Sequence, residues 1–247
     1  MKLRLLLLLL VSIPFVGCQF SETMTLNEDG TGTMQVTVNL SEMMAMGGGA
    51  MVDSATIKID TVIKMKQLLN EKADSISKLS KSEQLQLKAL KGFNYHIKMD
   101  SETSEMIYAI STSFKEVVDV NDIISQLERI EDVMPGKKTA AMKTTKEEGS
   151  QELIGVNYSF IDGVFKRDAY IKDKVKHQQQ VDSLQQASSF MGSSKYSLKY
   201  TFPRKIDSAS HPDATYSADK KTIVLSKPFF EYFTNPDVLD LEVRLEK

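Results

Sequence analysis

The sequence is poor in the residues that most often build catalytic and metal sites. Its 247 residues contain one cysteine, three histidines and no tryptophan. His96, His177 and His211 lack metal-ligand spacing, so each is expected to be an ordinary surface residue. The patterns Gly-x-Ser-x-Gly, Gly-x-Gly-x-x-Gly and the Walker motif, which mark acyl transfer and nucleotide binding, are also absent. The sequence therefore predicts a protein that is not an enzyme and that carries no cofactor and no metal.

The charge of the chain is close to balanced. The formal net charge is −2, and it becomes −4 when Lys2 and Arg4 are removed with residues 1–17. This mild acidity argues against a nucleic-acid partner and against electrostatic attraction to anionic lipid heads.

The N-terminus combines a basic start with a short apolar run. Lys2 and Arg4 precede an apolar stretch over 5–16, and Gly17 then stands before Cys18. A stretch of about a dozen residues is too short for a bilayer, which takes about 20. The segment resembles the signal peptide and lipobox of bacterial lipoproteins. That resemblance implies cleavage after Gly17, lipidation with palmitate at Cys18, and a membrane-anchored protein of the cell envelope, with the outer membrane preferred. The alternatives are a secretory signal cut elsewhere and a short buried apolar helix.

The rest of the chain alternates between hairpin and helix patterns. On the first strand Phe20, Glu22, Met24 and Leu26 share one face. Hairpins are predicted over 20–40, 93–110 and 154–171, and single strands over 196–202, 222–225 and 239–245. Helices are predicted from Ser41 and over 60–72, 81–91, 123–130 and 173–191. An exposed loop is predicted over 133–150.

This order of elements predicts an α+β fold. A mostly antiparallel sheet built from hairpins, with helices packed on one face, fits better than a doubly wound parallel sheet, because no repeated βα unit is present. We expect the signal peptide over 1–17 and a single envelope domain over 18–247.

Four methionines form the first candidate site. Met43, Met44, Met46 and Met51 surround Gly47–Gly49. Thioethers adapt to irregular packing, they can face an apolar or lipid ligand, and they also suit Cu(I). Packing is the preferred interpretation, and a metal site the least favoured.

Aromatic and acidic side chains form the remaining candidates. The aromatic set could line a pocket or fill the core: Tyr196, Tyr200, Phe202, Phe229, Phe230, Tyr232 and Phe233. The carboxylate pairs Asp119–Asp122 and Glu147–Glu148 are interpreted as helix-start charge and as loop solvation, and no residue is assigned a catalytic role.

The two ends of the chain resemble a known group. The hairpin sequence over 24–38, just after the lipobox, is similar to the opening hairpin of LppM-like envelope lipoproteins, and 200–206 is similar to a strand near the end of that family. The resemblance implies a small α+β domain linked to glycolipid binding. The central helices look instead like an uncharacterised lipoprotein group of Bacteroidota-type bacteria.

Together these features predict a non-enzymatic, membrane-anchored envelope lipoprotein that binds a lipid, peptide or protein partner near the membrane. The alternative is a structural or assembly subunit that acts through an exposed sheet edge.

Overall fold

A computed structural model describes residues 19–45, 57–121, 123, 153–186 and 193–247. Strands β1 to β12 are Gln19–Leu26, Gly32–Asn39, Lys58–Lys64, Phe93–Asp100, Glu105–Phe114, Ile154–Ile161, Val164–Ile171, Lys195–Thr201, Ile206–Ala209, Thr215–Tyr216, Thr222–Pro228 and Leu241–Leu245. Helices α1 to α6 are Ser41–Ala45, Met65–Glu71, Ala73–Ile76, Lys81–Ala89, Lys174–Gln186 and Phe229–Thr234, and short 3-10 helices lie at Leu90–Gly92, Val117–Val120 and Pro236–Leu239.

The strands form two sheets. The large sheet has the order β10-β11-β8-β1-β2-β5-β4-β3, and the small sheet has the order β6-β7-β12-β9. Every neighbouring pair is antiparallel except β1 with β8, which is parallel. The fold is therefore broadly α+β with mostly antiparallel sheets, as the sequence predicts. It differs from that prediction in having two sheets, because strands β6, β7, β9 and β12 pair among themselves.

The three predicted hairpins are all present. β1 pairs with β2, β4 with β5, and β6 with β7. At the first turn Gly30 has a φ of +81°, a conformation that glycine adopts without steric cost. The side chain of Asp29 accepts hydrogen bonds from the backbone and the hydroxyl of Thr31, which closes the turn locally.

One predicted helix is wrong over its first half. The helical spacing of Val62, Met65 and Leu69 predicts a helix over 60–72, but Lys58–Lys64 is strand β3 and the helix begins at Met65. Pairing of β3 with β4 fixes the extended conformation, so tertiary hydrogen bonding overrides the local periodicity.

The helix predicted over 81–91 is present with a different buried side. Ser80 and Glu83 form a reciprocal capping box at its start. The spacing of Leu85 and Ala89 predicts that these two residues face the core, but Leu85 is 66% exposed, while Leu87 and Leu90 are buried. Helix α5 likewise confirms most of the helix predicted over 173–191.

A continuous cluster of buried side chains joins the two sheets and the helices after β3. Phe165 of the small sheet packs edge-on against Tyr200 and Phe202, with ring centroids 5.3 and 5.4 Å away. Met65 and Leu90 belong to the same cluster. One face of the large sheet is therefore covered by the small sheet as well as by helices.

The opposite face of the large sheet is polar. Cross-strand hydroxyl pairs, Thr201 with Thr222 and Ser197 with Ser226, each lie 2.9 Å apart. Over the described ranges, no helix has the length and apolar character needed to cross a membrane.

Candidate functional site

The first described residue opens a central strand of the large sheet. β1 begins at Gln19, directly after Cys18, and is hydrogen-bonded to β2 on one side and to β8 on the other. Gln19 lies opposite Asn39 and Lys195, and Lys195 lies opposite Pro228. We call this end of the large sheet, defined by these four residues, the anchor end. Cys18 and Gly17 themselves lie outside the described residues.

Half-buried aromatic rings lie at the anchor end. Helix α6 follows β11 directly, and its Phe229 stacks on Phe20 of β1 with centroids 4.2 Å apart. Phe233 lies 6.0 Å from Phe229 in a further stacked contact. Phe230 is also half-buried. Through these ring contacts the segment 228–233 packs against the start of β1.

The methionine segment also lies at the anchor end. Helix α1 follows β2, and Met44 is buried against Met99 and Met106. The Ser41 hydroxyl accepts a hydrogen bond from the backbone N–H of Met106 at 3.0 Å, which ties α1 to β5. The partly buried side chains around this cluster are Leu40, Ile57 and Tyr108. Met46, Met51 and the side chain of Met43 lie outside the described residues.

A buried ion pair fixes β1 to the small sheet. The side chains of Glu22 on β1 and Arg167 on β7 are 1% and 0% exposed, and Arg167 Nη2 lies 3.0 Å from Glu22 Oε1. The hydroxyls of Tyr158, Tyr196 and Tyr200 donate to the same carboxylate at 2.8, 2.6 and 2.5 Å. The carboxylate therefore receives hydrogen bonds from both sheets at once.

The Arg167 guanidinium donates further hydrogen bonds. Arg167 Nη1 donates to the backbone oxygen of Leu239 at 3.2 Å, and Nη2 donates to the hydroxyl of Tyr232 at 3.3 Å. The guanidinium carbon also lies 5.6 Å from the centre of the Tyr232 ring. Because both charges are compensated, their burial does not leave an unpaired group in the core.

The surroundings of Glu22 decide its charge. Burial by itself would raise the pKa of Glu22, but the charge of Arg167 and the hydrogen bonds from Arg167, Tyr196 and Tyr200 outweigh it and lower that pKa below its ordinary value. Burial, and next the charge of Glu22, raise the pKa of the Tyr158, Tyr196 and Tyr200 hydroxyls. The cluster is therefore a carboxylate held by neutral phenols and one cation.

This cluster holds the two sheets together, and the sequence indicates one member of it. The alternation of β1 puts Glu22 on the same face as Met24 and Leu26, both of which are buried. A carboxylate on a buried face needs a charged or hydrogen-bonding partner. Sequence periodicity could not name Arg167, because 145 residues separate the two side chains along the chain.

A polar concavity of about 490 Å³ opens on the small sheet. Its lining includes Lys166, Asp168, Asp240 and Glu242. Lys166 pairs with Glu242 at 2.9 Å, and Asp240 accepts the backbone N–H of Ala169 at 2.8 Å. Burial, with the nearby charge of Asp168, raises the pKa of Asp240. Lys166 and Glu242 thus compensate each other, and Asp240 is bonded to the backbone, as on a solvated sheet surface.

The aromatic candidates are mainly core residues. Tyr196, Tyr200 and Phe202 are at most 3% exposed, and Tyr232 is 4% exposed. Their rings pack between the sheets, and their hydroxyls serve the Glu22–Arg167 cluster. The burial of these four residues supports the core interpretation for them.

The histidines differ in their surroundings. His96 is exposed and lies 2.7 Å from Asp60 on β3, and the ring of His211 accepts the backbone N–H of Asp213. The prediction of a surface position is wrong for His177, which is 3% exposed. Its ring contacts Phe233, and Nε2 lies 2.7 Å from the Phe233 carbonyl oxygen, because α5 packs against the end of α6.

The acidic candidates are partly described. Asp119 accepts backbone hydrogen bonds from Lys115 and Glu116, which supports its interpretation as helix-start charge. Asp122, Glu147 and Glu148 lie outside the described residues.

No protein-family model matches the chain, and no curated protein matches it significantly. Among solved structures, the NMR structure of the folded domain of LppM from Mycobacterium tuberculosis is similar at a TM-score of 0.37 and 7% sequence identity, over 96% of each chain. This similarity is too low to assign a fold or a function.

Proposed function

We propose that this chain is a non-enzymatic envelope lipoprotein that is anchored through lipid on Cys18 and contacts membrane lipid with the anchor end of its large sheet. The observation that carries the proposal is the position of β1, which begins one residue after Cys18 and is a central strand. A lipid on Cys18 would therefore be joined to the folded domain without a spacer.

The buried contacts of Glu22 on β1 support this arrangement. Glu22 lies four residues from Cys18 and is held by Arg167 and three tyrosine hydroxyls. Releasing the strand to lengthen the tether would separate this buried pair, which is costly. Each buried acyl methylene contributes about 0.8 kcal/mol to anchoring, so two or more chains hold firmly. The domain then stays within contact distance of the bilayer.

The side chains at the anchor end favour lipid as the partner. Phe20, Phe229, Phe230 and Phe233 are all half-buried there. Partly exposed apolar rings can bury into the boundary between the headgroups and the acyl chains of a bilayer. A peptide or protein partner bound at the same end is the competing outcome.

The anchor is tested by replacing the cysteine. Cys18→Ser should abolish labelling by an alkyne fatty acid and move the protein out of the membrane fraction. The single cysteine of the chain makes this change unambiguous. Continued labelling of the variant would refute the anchor, and retention of the variant in the membrane without labelling would point to a protein partner.

The orientation is tested with an introduced tryptophan. Since the chain contains no tryptophan, Phe230→Trp gives one fluorescence signal. In vesicles carrying the lipidated protein, brominated lipids should quench this residue and its emission should shift to the blue.

Val118→Trp is the matched control. Val118 is 47% exposed and follows β5 at the other end of the large sheet, where Phe114 lies opposite Gly32. It should be quenched little. Equal quenching of the two variants would show that the anchor end does not face the bilayer.

A second function, assembly through a sheet edge, is favoured by β3. This strand of seven residues ends the large sheet and is exposed along nearly its whole length. Its unpaired backbone groups are a template for another strand.

A further inference from the structure

Of the four sheet edges in the described ranges, three are short or covered. β10 has two residues, and β9 has four with a register shift where it pairs with β12. On β6 the backbone N–H of Tyr158 donates to the side chain of Asn121, which belongs to the segment that packs beside that strand. Such features protect edges from pairing with another chain. Within the described residues β3 is neither short nor covered and has no register shift in its pairing, and it carries the charged side chains of Lys58, Asp60 and Lys64.

The backbone groups of β3 that face outward can be identified. Ser101 N–H donates to the backbone oxygen of Ile57, so residue 57 directs its carbonyl toward the β4 side. Orientation alternates along a strand, and the register pairs Ile59 with Met99 and Thr61 with Ile97. The backbone groups of Asp60, Val62 and Lys64 therefore point away from β4.

The side chains of β3 are complementary to those of a second β3 strand that runs antiparallel to it. Val62 is 56% exposed at the middle of the segment 60–64. If two copies pair antiparallel with Val62 opposite Val62, Asp60 of each lies opposite Lys64 of the other. The Lys64 side chain has no hydrogen bond or ion pair with any described residue. The Asp60 side chain lies 2.7 Å from His96 of its own sheet and is still 64% exposed.

Other registers fit less well. Placing the two-fold axis at Thr61 sets Lys58 opposite Lys64, and placing it at Asp60 sets two aspartates opposite each other. Like charges directly opposite destabilise a strand pair.

We infer that β3 pairs with β3 of a second copy of this chain, antiparallel and centred on Val62, so that the two large sheets become continuous. About six backbone hydrogen bonds and two Asp60–Lys64 contacts form across the two-fold axis. The partner at this edge is thus a second copy of the chain. This inference rests on the assembly function proposed above and does not depend on the lipid anchor.

The test is disulfide crosslinking of the full-length protein in its own membrane. Val62→Cys places a thiol at the two-fold axis, where directly opposite strand residues come within disulfide reach. Mild oxidation should give a covalent dimer. Ile59→Cys is the matched control, because Ile59 is also exposed on β3, at 40%, and lies about 20 Å from its copy in this register.

The charges are tested by reversal. Lys64→Glu in the Val62→Cys background should lower the dimer yield severalfold, since the introduced carboxylate would then oppose Asp60 of the second copy. Adding Asp60→Lys should restore the yield. The two changes preserve the strand, so their opposite effects report on the pairing.

The outcomes separate the two proposals. Absence of crosslinking at Val62, equal crosslinking at Ile59, or indifference to the charge reversal would overturn the β3 pairing. Crosslinking of the unchanged protein would require a free thiol on Cys18 and would contradict the lipid anchor alone.

Discussion

At the scale of single residues, Glu22 connects the two sheets through a set of buried hydrogen bonds. It is the acceptor for Arg167 and for three tyrosine hydroxyls, and it joins the central strand of the large sheet to the small sheet. A buried pair of this kind contributes little net stability compared with an apolar replacement, yet removing one partner alone leaves the other charge uncompensated. We therefore expect the pair to act mainly on the specificity of how the two sheets dock.

We expect Glu22→Gln to lower the free energy of unfolding by about 3–5 kcal/mol, because it leaves the Arg167 charge buried without a counter-charge. Urea unfolding of the variant measures this. Glu28→Gln is the control, since Glu28 forms an exposed pair with Arg204 and should change stability by less than about 1 kcal/mol. A loss as small as that of the control would mean that the cluster is solvated.

The lowered pKa of Glu22 predicts that the protein loses stability in acid. Its pKa is lowered in the folded state, so its contribution to stability is complete above the unfolded value near 4.5 and is lost as the pH falls toward the folded pKa. Stability measured by urea unfolding should begin to fall below about pH 5 and should keep falling as the pH approaches the lowered pKa of folded Glu22. Glu22→Gln should flatten this dependence, and an unchanged slope in the variant would assign the transition to other carboxyl groups.

At the scale of elements, strand β12 illustrates what periodicity predicts well. Leu241, Val243 and Leu245 were expected on one face, and they are 2%, 0% and 8% exposed. β12 lies between β7 and β9 in the small sheet, so its apolar face closes the core from that side. Leu239 is buried too, although it belongs to a 3-10 helix.

We expect Leu241→Ala to lower the free energy of unfolding by about 2–5 kcal/mol, through lost burial and the cavity that remains. Glu242→Ala should cost less than about 1 kcal/mol, because its contacts with Lys166 and Arg244 lie at the surface. Thermal or denaturant unfolding of both variants measures the two losses of stability. Equal, small losses would contradict the burial of this strand.

β3 shows where periodicity fails. Val62, Met65 and Leu69 have a helical spacing, whereas the β-branched residues Ile59, Thr61, Val62 and Ile63 favour a strand before Met65. The strand exists because its seven residues pair in register with β4. A hydrogen-bonded neighbour that is distant in the sequence is not visible to a window of local residues.

At the scale of the whole molecule, the start of the chain and the fold are coupled. A strand that follows Cys18 directly is placed between β2 and β8, and the Tyr196 hydroxyl that β8 supplies to Glu22 comes 174 residues later in the chain. The same end of the sheet also collects helix α1 and helix α6. An anchor at Cys18 would therefore position the large sheet end-on to the membrane and leave the β3 edge accessible for pairing.

We expect replacement of residues 133–150 by a short Gly/Ser linker to change stability by less than about 1 kcal/mol, or about 2–4 °C in Tm for a chain of this size. The segment lacks an apolar face, and closing a shorter loop changes the entropy only slightly. Calorimetry of the full chain measures this. A much larger fall in Tm would show that the segment packs against the domain, whose nearest buried residues are Ile123 and Leu153.

Local patterns in the sequence were sufficient for the hairpins, the capped helix after Ser80, the apolar face of β12 and the α+β class, because turn residues, caps and side-chain periodicity act over a few neighbouring positions. Tertiary contacts were needed to divide the strands into two sheets, to run β1 parallel to β8, to bury His177 and to bring Glu22 to Arg167. These features depend on residues far apart in the chain. Their free energy comes from burial and from charge compensation in the folded state, and no local pattern of the sequence records which partners will meet.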